Sequence, residues 1–500
     1  MALRGLSFWK PSERTLSAVI DSPTDKLTAE SHALEHGTPR ERVDRSPTVN
    51  GAEETAPEKP SAASRRLSVR HNFAWTLAGN LTFALCQWAV IVLLAKLGNA
   101  EMVGRFALAF AVAYPITYVA HMQLRVIYVT DLKGNYPAAK VLGLRLMLSA
   151  IAIAVLLITC LVARYPLQES AVIFVVGLAQ LMDCVSENYF AIAQRRERMD
   201  RIAKSQMMRS LLSLSAVASI VYFTHNLLWG VAAYVVARGA VLLTYDAGRG
   251  TFTLGSTTRD VPTYAERLSP IWDFRKQFQL LWVALPLGAV TILGSLNSNM
   301  PRYFLEKSDG PREVGIYSAL NYLPTAALLI SSALGYAAFA RLSKLYFEGD
   351  LRNFKIVLGK AVAVCGSLGV CGLLGGALLG RQVLTILYRP EYADHADLLM
   401  LLLTVGAIGC VASCLGCAMS AASQFRVQVP LFLAVTGTSF VACHFLIPRY
   451  GLRGGAFAAL VAMCVQFLGT ALVIYRALAK RAEEMKVGMS IGIEPALESQ

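Results

Sequence analysis

Scanned for charge, this chain breaks into about a dozen apolar stretches of roughly 18–28 residues, parted by short polar segments. A helix of roughly 20 apolar residues crosses a bilayer core of about 30 Å. Helices that are apolar on every side have to be surrounded by apolar matter, and a dozen of them leave no soluble arrangement. Hydrophobic residues make up 55% and charged ones 16%, and mean hydropathy is +0.48, against about 45–50% and about 25% in soluble domains. The sequence predicts an all-α integral membrane protein with about twelve transmembrane helices.

The 47 Lys and Arg outnumber the 33 Asp and Glu, for a net charge of +14. In a soluble chain that excess would point to nucleic acid. Here the basic residues collect in alternate connections, as the positive-inside bias requires, so the expected partner is the lipid bilayer and no nucleic acid is expected. The ten cysteines lie almost wholly inside the apolar stretches and read as small packing residues, not a disulfide scaffold.

Residues 1–64 are rich in Ser, Thr, Pro, Glu and Arg and hold few large apolar side chains. Such a segment cannot bury enough surface to fold, so a disordered, dispensable tail is expected over residues 1–70. Arg65, Arg66 and Arg70 precede the first span, Phe73–Leu97, and set its start in the cytoplasm. The other spans are expected at 106–123, 146–164, 171–193, 208–224, 226–245, 277–299, 315–339, 356–379, 397–422, 428–447 and 454–475. Arg125 to Arg145, Arg195 to Arg209, Arg341 to Lys355, Arg426 and Arg476 to Arg481 then all fall on the cytoplasmic side, with both termini. Spans five and six are separated only by Thr224-His225-Asn226, read as a tight outer turn.

The chain repeats itself. Val103-Gly104-Arg105-Phe106-Ala107 lines up with Val314-Gly315-Ile316-Tyr317-Ser318, and the sixth span matches the twelfth in Gly and Ala placement. Each half carries six spans, an even number, so the copies share orientation and their pseudo-two-fold axis should run along the membrane normal. The expected parts are an N-lobe at 71–245, a cytoplasmic linker at 246–276, a C-lobe at 277–477 and a cytoplasmic tail at 478–500.

The paired V-G-x-[FY]-[AS] turns, the segment ENYFAIAQRRERM ending span four and SLNSNMPRYFLEK in span seven resemble the multidrug/oligosaccharidyl-lipid/polysaccharide flippase superfamily. Within it, the chain is similar to the bacterial polysaccharide transporter branch, the O-antigen and exopolysaccharide flippases. The resemblance covers about residues 70–480. It implies a MATE-like fold, the bacterial inner membrane, no cofactor, and alternating-access transport of undecaprenyl-pyrophosphate-linked oligosaccharides. It also implies partners among the polysaccharide polymerase and chain-length machinery.

Moving an anionic, hydrated head through hydrocarbon calls for a wet cleft with cationic and hydrogen-bonding groups, and ionisable residues at membrane depth seldom face lipid. Asp183 lies in the middle of span four, with Glu187 at i+4 and Gln180 at i−3 on the same face. Arg238 lies within span six. Asp183 and Arg238 should either line the cleft, with Arg238 on the pyrophosphate, or pair with one another; the first is favoured. Arg145 and Lys360, near the cytoplasmic ends of spans three and nine, could join the cleft but are expected to snorkel to headgroups. Asn297, Asn299 and Arg302 of span seven approach the outer surface as cleft candidates, and Asn297 and Asn299 are equally read as interhelical hydrogen-bond glue. His121 and Gln123 sit at the inner end of span two.

Cys410, Cys414 and Cys417 have a C-x3-C-x2-C spacing but lie within span ten, where packing is the reading. No G-x-x-x-x-G-K-[ST] occurs, so an intrinsic ATPase is not expected, nor is an enzyme or metal centre. Two alternatives remain. One is a MATE-like cation or drug antiporter, for which span one offers Asn80 and Gln87 where many such proteins carry a carboxylate. The other is a polysaccharide polymerase or ligase, disfavoured by the short outer loops.

Overall fold

The computed structural model describes residues 68–131, 134–249 and 270–490, and every regular element among them is helical. The expected tail and most of the expected linker lie outside the described residues. In order, the helices are α1 (Val69–Leu97), α2 (Ala100–His121), α3 (Leu124–Thr130), α4 (Ala138–Ala163), α5 (Leu167–Arg195), α6 (Met199–Thr224) and α7 (Leu227–Val241). Leu242–Arg249 continues α7 as a π-helical segment. Then come α8 (Phe274–Asp309), α9 (Pro311–Phe347), α10 (Leu351–Leu387), the single turn α11 (Pro390–Ala393), α12 (Ala396–Ala421) and α13 (Phe425–Ser490).

Eleven helical runs among the described residues are long and apolar enough to cross a membrane. The last, Val427–Met485, has 59 residues, or roughly 90 Å of helix at 1.5 Å per residue, which is too long for one crossing. Gly451 breaks it, with φ 53° and ψ −128°, in the left-handed region that glycine enters freely. Beyond it the chain doubles back, so that a Cβ on Gly469 would press on the Leu431 side chain. The two limbs of α13 are therefore spans eleven and twelve.

Local chemistry places the ends. The Asn99 side chain accepts from the Met102 N–H at 2.8 Å and starts α2; Asn226 accepts from Leu228 N–H at 2.9 Å and starts α7. Between α6 and α7, His225 takes a left-handed conformation with φ 50°, which is the tight turn read from Thr224-His225-Asn226. Helices outrun the expected spans: α6 begins at Met199 where span five was placed from 208, and α13 runs on to Ser490 through part of the expected tail. Apolar runs mark only the hydrocarbon-embedded part, whereas backbone hydrogen bonding carries a helix into the polar zone.

The buried side chains define two different ends. At the end holding Leu97 and Gly310, a single core joins both halves, with Leu94, Val103 and Phe106 packed among Leu305, Val314, Tyr317 and Leu402. At the end holding Val69 and Ser490, the core divides. One cluster is built on α2–α5 and the start of α8, around Leu124, Leu144, Leu181 and Leu280; the other lies on α9, α10, α12 and α13, around Leu342, Phe354, Cys365 and Cys410. Between them runs α8, which packs its start on α4 and its middle on α13, where Thr436 Oγ1 donates to the Leu293 carbonyl at 3.2 Å. These are the sealed end and the split end of a twelve-span, two-lobed bundle.

Candidate functional site

The seal is made by the repeated motif itself. A Cβ on Gly104 would run into the Pro311 carbonyl and the Gly315 nitrogen, and a Cβ on Gly315 into the Ala100 carbonyl and the Gly104 nitrogen. In the register that matches Val103 to Val314, Ala100 is the counterpart of Pro311 and Gly104 of Gly315. The contact is therefore reciprocal, backbone against backbone, and only glycine permits it. Around it, Tyr303 donates its hydroxyl to the Ala111 carbonyl, Trp88 Nε1 to Tyr388 Oη at 3.3 Å, and Tyr388 in turn to the Ala319 carbonyl at 3.0 Å. Arg389 donates to the Lys96 carbonyl at 2.9 Å.

Three of the predicted residues belong to this region. Arg302 donates to Ser318 Oγ at 2.9 Å and to Asn299 Oδ1, and Asn299 donates to the Ser295 carbonyl at 2.9 Å. They tie α8 to α9 just inside the seal. Asn297, on the same helix, is half-buried, with no hydrogen-bond partner on Oδ1.

Deeper in the first half runs a file of alternating charge. Asp183 on α5 contacts Arg238 on α7 and sits 2.7 Å from Arg209 on α6; Arg209 reaches Asp246, in the π-helical segment, at 3.1 Å. Arg238 also lies over the Tyr234 ring, 4.2 Å from its centroid, and Arg209 over Phe190 at 5.1 Å. Arg238 is 4% exposed and Arg209 5%. Asp183 and Arg238 thus meet, as one expectation had it, but as the first links of a four-residue network closed off inside the lobe. The favoured cleft position of Arg238 is not what the geometry presents.

Nearer the split end, Glu187 pairs with Arg125 at 3.0 Å, and Arg125 Nε donates to Gln194 Oε1 at 2.7 Å. Arg145 corrects the snorkelling expectation: it is 1% exposed and donates to the Cys184 carbonyl. Its helix packs on α5, so extension toward headgroups is blocked. Lys360 is exposed on α10 and joins none of these groups. Gln123 donates to Thr291 Oγ1 at 3.3 Å. Both Met122 and Gln123 have positive φ, 38° and 53°, which separates α2 from α3.

Arg209, Asp246 and Arg125 were assigned to loops and linker on charge alone. A signal was available: Asp246 lies eight residues beyond Arg238, on the same face of a continued helix, and Arg209 lies ten residues into α6. Outside the spans, Asp273 caps α8 and binds Lys140 at 2.7 Å. The Lys140 ammonium, with the Lys276 N–H, holds the Asp273 carboxyl below the usual carboxylate range.

No protein-family model matches the chain. It is 25% identical over 401 residues to the capsular polysaccharide biosynthesis protein CapF of Staphylococcus aureus, covering 79% of this chain and 97% of that one. It is 28% identical over 186 residues to the probable flippase AglR of Haloferax volcanii, covering 36% and 37%. Among solved structures it resembles the lipid II flippase MurJ in an inward closed conformation, with TM-score 0.64, 9% identity and 86% and 94% coverage. An inward-facing MATE multidrug transporter gives TM-score 0.57, 13% identity and 81% and 96% coverage. The chain is thus similar in sequence to a capsular polysaccharide biosynthesis protein and to a probable flippase, and it shares its fold with MurJ and the MATE transporters.

Proposed function

We propose that this protein is a flippase that carries lipid-linked oligosaccharide repeat units across the bacterial inner membrane by alternating access. The observation that carries the reading is the pairing of a shared core at one end with divided cores at the other, closed by Gly104 and Gly315. A two-lobed bundle sealed at one end has a second state in which the seal opens and the divided cores meet.

The split end is the cytoplasmic one. It holds Arg195, Arg196, Arg198, Arg201, Lys344 and Lys480, whereas the sealed end balances its charges in Arg312–Glu391 at 3.1 Å and Arg453–Asp397 at 2.5 Å. The state seen is then inward-facing, ready for a substrate built in the cytoplasm. Arg145, Arg209 and Arg238 are buried, while Arg125 keeps 26% of its side chain exposed at the split end. Arg125 is the group that meets the pyrophosphate first. The carrier is an undecaprenyl pyrophosphate, and the isoprenoid tail stays in lipid while the head moves between the lobes. The protein acts without catalysis.

Reconstitution tests this. Proteoliposomes loaded with a fluorescent undecaprenyl-pyrophosphate oligosaccharide should show protein-dependent exposure of the label to an external quencher, and Arg125→Gln should slow it. Efflux of a lipophilic cation by the same vesicles, with no movement of the lipid, would establish the antiporter in its place.

A further inference from the structure

One helix carries an aromatic file that starts in the seal and runs on past it, outside the charged network. Along α2, Phe106, Phe110, Tyr114, Tyr118 and His121 follow one another in tilted and edge-on ring contacts, with successive centroids 4.8, 5.5, 5.6 and 5.7 Å apart. Their spacing of four, four, four and three residues keeps them on one stripe. Phe106 is buried in the seal, and the four rings beyond it toward the split end are half-buried. Because α2 is packed against α4, α5, α8 and α9, surface left on this stripe opens into the seam between the lobes rather than to lipid. Tyr114 lies within electrostatic reach of Tyr234 on α7 and Tyr322 on α9, which puts it where the two halves face each other.

Aromatic residues at helical spacing are often plain core. The internal repeat argues otherwise here. Carried on from Val103 and Val314, the register matches Phe106 with Tyr317, but it matches Phe110, Tyr114, Tyr118 and His121 with Asn321, Thr325, Leu329 and Ser332. The seal needs an aromatic ring in both halves, and the positions beyond it need none. The rings below Phe106 answer to something that touches one lobe only.

We propose that Tyr114 and Tyr118 form a stacking track for pyranose rings, a sugar subsite distinct from the groups that meet the charged head. A pyranose has an apolar face of C–H groups and an edge of hydroxyls. Aromatic faces take the first, and the phenol hydroxyls take the second. Stacking reads a ring face and not a hydroxyl pattern, so successive sugars pass over a row of rings without a deep trap at any one. The proposal rests on the flippase reading and adds where the glycan is held.

The test compares two probes on the full chain in lipid nanodiscs: bare undecaprenyl pyrophosphate, and the same carrier bearing an N-acetylglucosamine disaccharide, with binding followed by thermophoresis. The parent should bind the glycosylated carrier about tenfold more tightly. Tyr114→Leu and Tyr118→Leu should lose that increment and bind the bare carrier as the parent does, whereas Tyr114→Phe and Tyr118→Phe should keep it. An increment that survives both leucine variants overturns the track. So does an equal loss for both probes, since that is the mark of damaged packing. If the parent binds both probes alike, the sugar subsite fails and the flippase reading stands; if it binds neither, both fail.

Discussion

Asp183 and Arg209, on neighbouring helices, are bound at 2.7 Å, and Arg209 shares itself with Asp246 at 3.1 Å. Asp183 therefore has two cationic partners, Arg238 being the other. The four charges sum to zero in a site almost closed to solvent, and each single loss leaves an uncompensated buried charge.

Asp183→Ala should accordingly reduce the amount of inserted protein, at a cost of about 3–5 kcal/mol. The double change Asp183→Ala/Arg238→Ala leaves the Arg209–Asp246 pair intact and should restore abundance. Quantitative immunoblotting of membranes checks this. A double variant as scarce as the single one would show that the network does not balance charge in this way.

Glycine at 104 and 315 is required by the closed seal. Gly104→Val and Gly315→Val should each insert normally and fail in transport, because neither lobe can close on the other. A Val103→Cys probe should react with a membrane-impermeant maleimide in the Gly104→Val background and stay protected in the parent. Equal protection in both would mean that the end closes without this contact.

The assigned orientation is open to a direct check. From outside intact cells, a Ser308→Cys variant should label and an Arg196→Cys variant should not. The reverse pattern would invert the membrane and turn the state seen into an outward-facing one.

Acid should loosen the start of α8. The Asp273 carboxyl is depressed below its unfolded value, about 3.9, so its contribution is present above that value and lost as pH falls through the folded one. Spin-label distances between α4 and the start of α8 should hold from about pH 8 to 5 and lengthen below about pH 4. Asp273→Asn should show the lengthened distance at neutral pH. A distance unmoved in acid would assign the anchoring to the Gln277 amide, which donates to the Lys140 carbonyl at 3.5 Å.

The span count, the tight turn at His225 and the repeat could all be read from residues, because bilayer thickness and the positive-inside bias act on composition directly. Pairing across helices could not. Arg209 looked like a loop charge since a polar residue at a helix end and one in a loop look alike on a hydropathy scale. Arg145 looked free to snorkel because nothing in its own span shows that α5 covers it. The two V-G motifs were visible as copies, but that they touch each other is a property of the assembled bundle.

That contact has a consequence for how such a chain can arise. Ala100 and Gly104 meet Pro311 and Gly315, and each pair does to the other what is done to it. This is an isologous interface, the kind found on the axis of a two-fold homodimer. A six-span chain bearing one V-G motif would close on a second copy of itself through the same atoms. The seal thus requires nothing that duplication had to invent, and the one-sided rings of α2 are what a fused pair can specialise and an identical pair cannot.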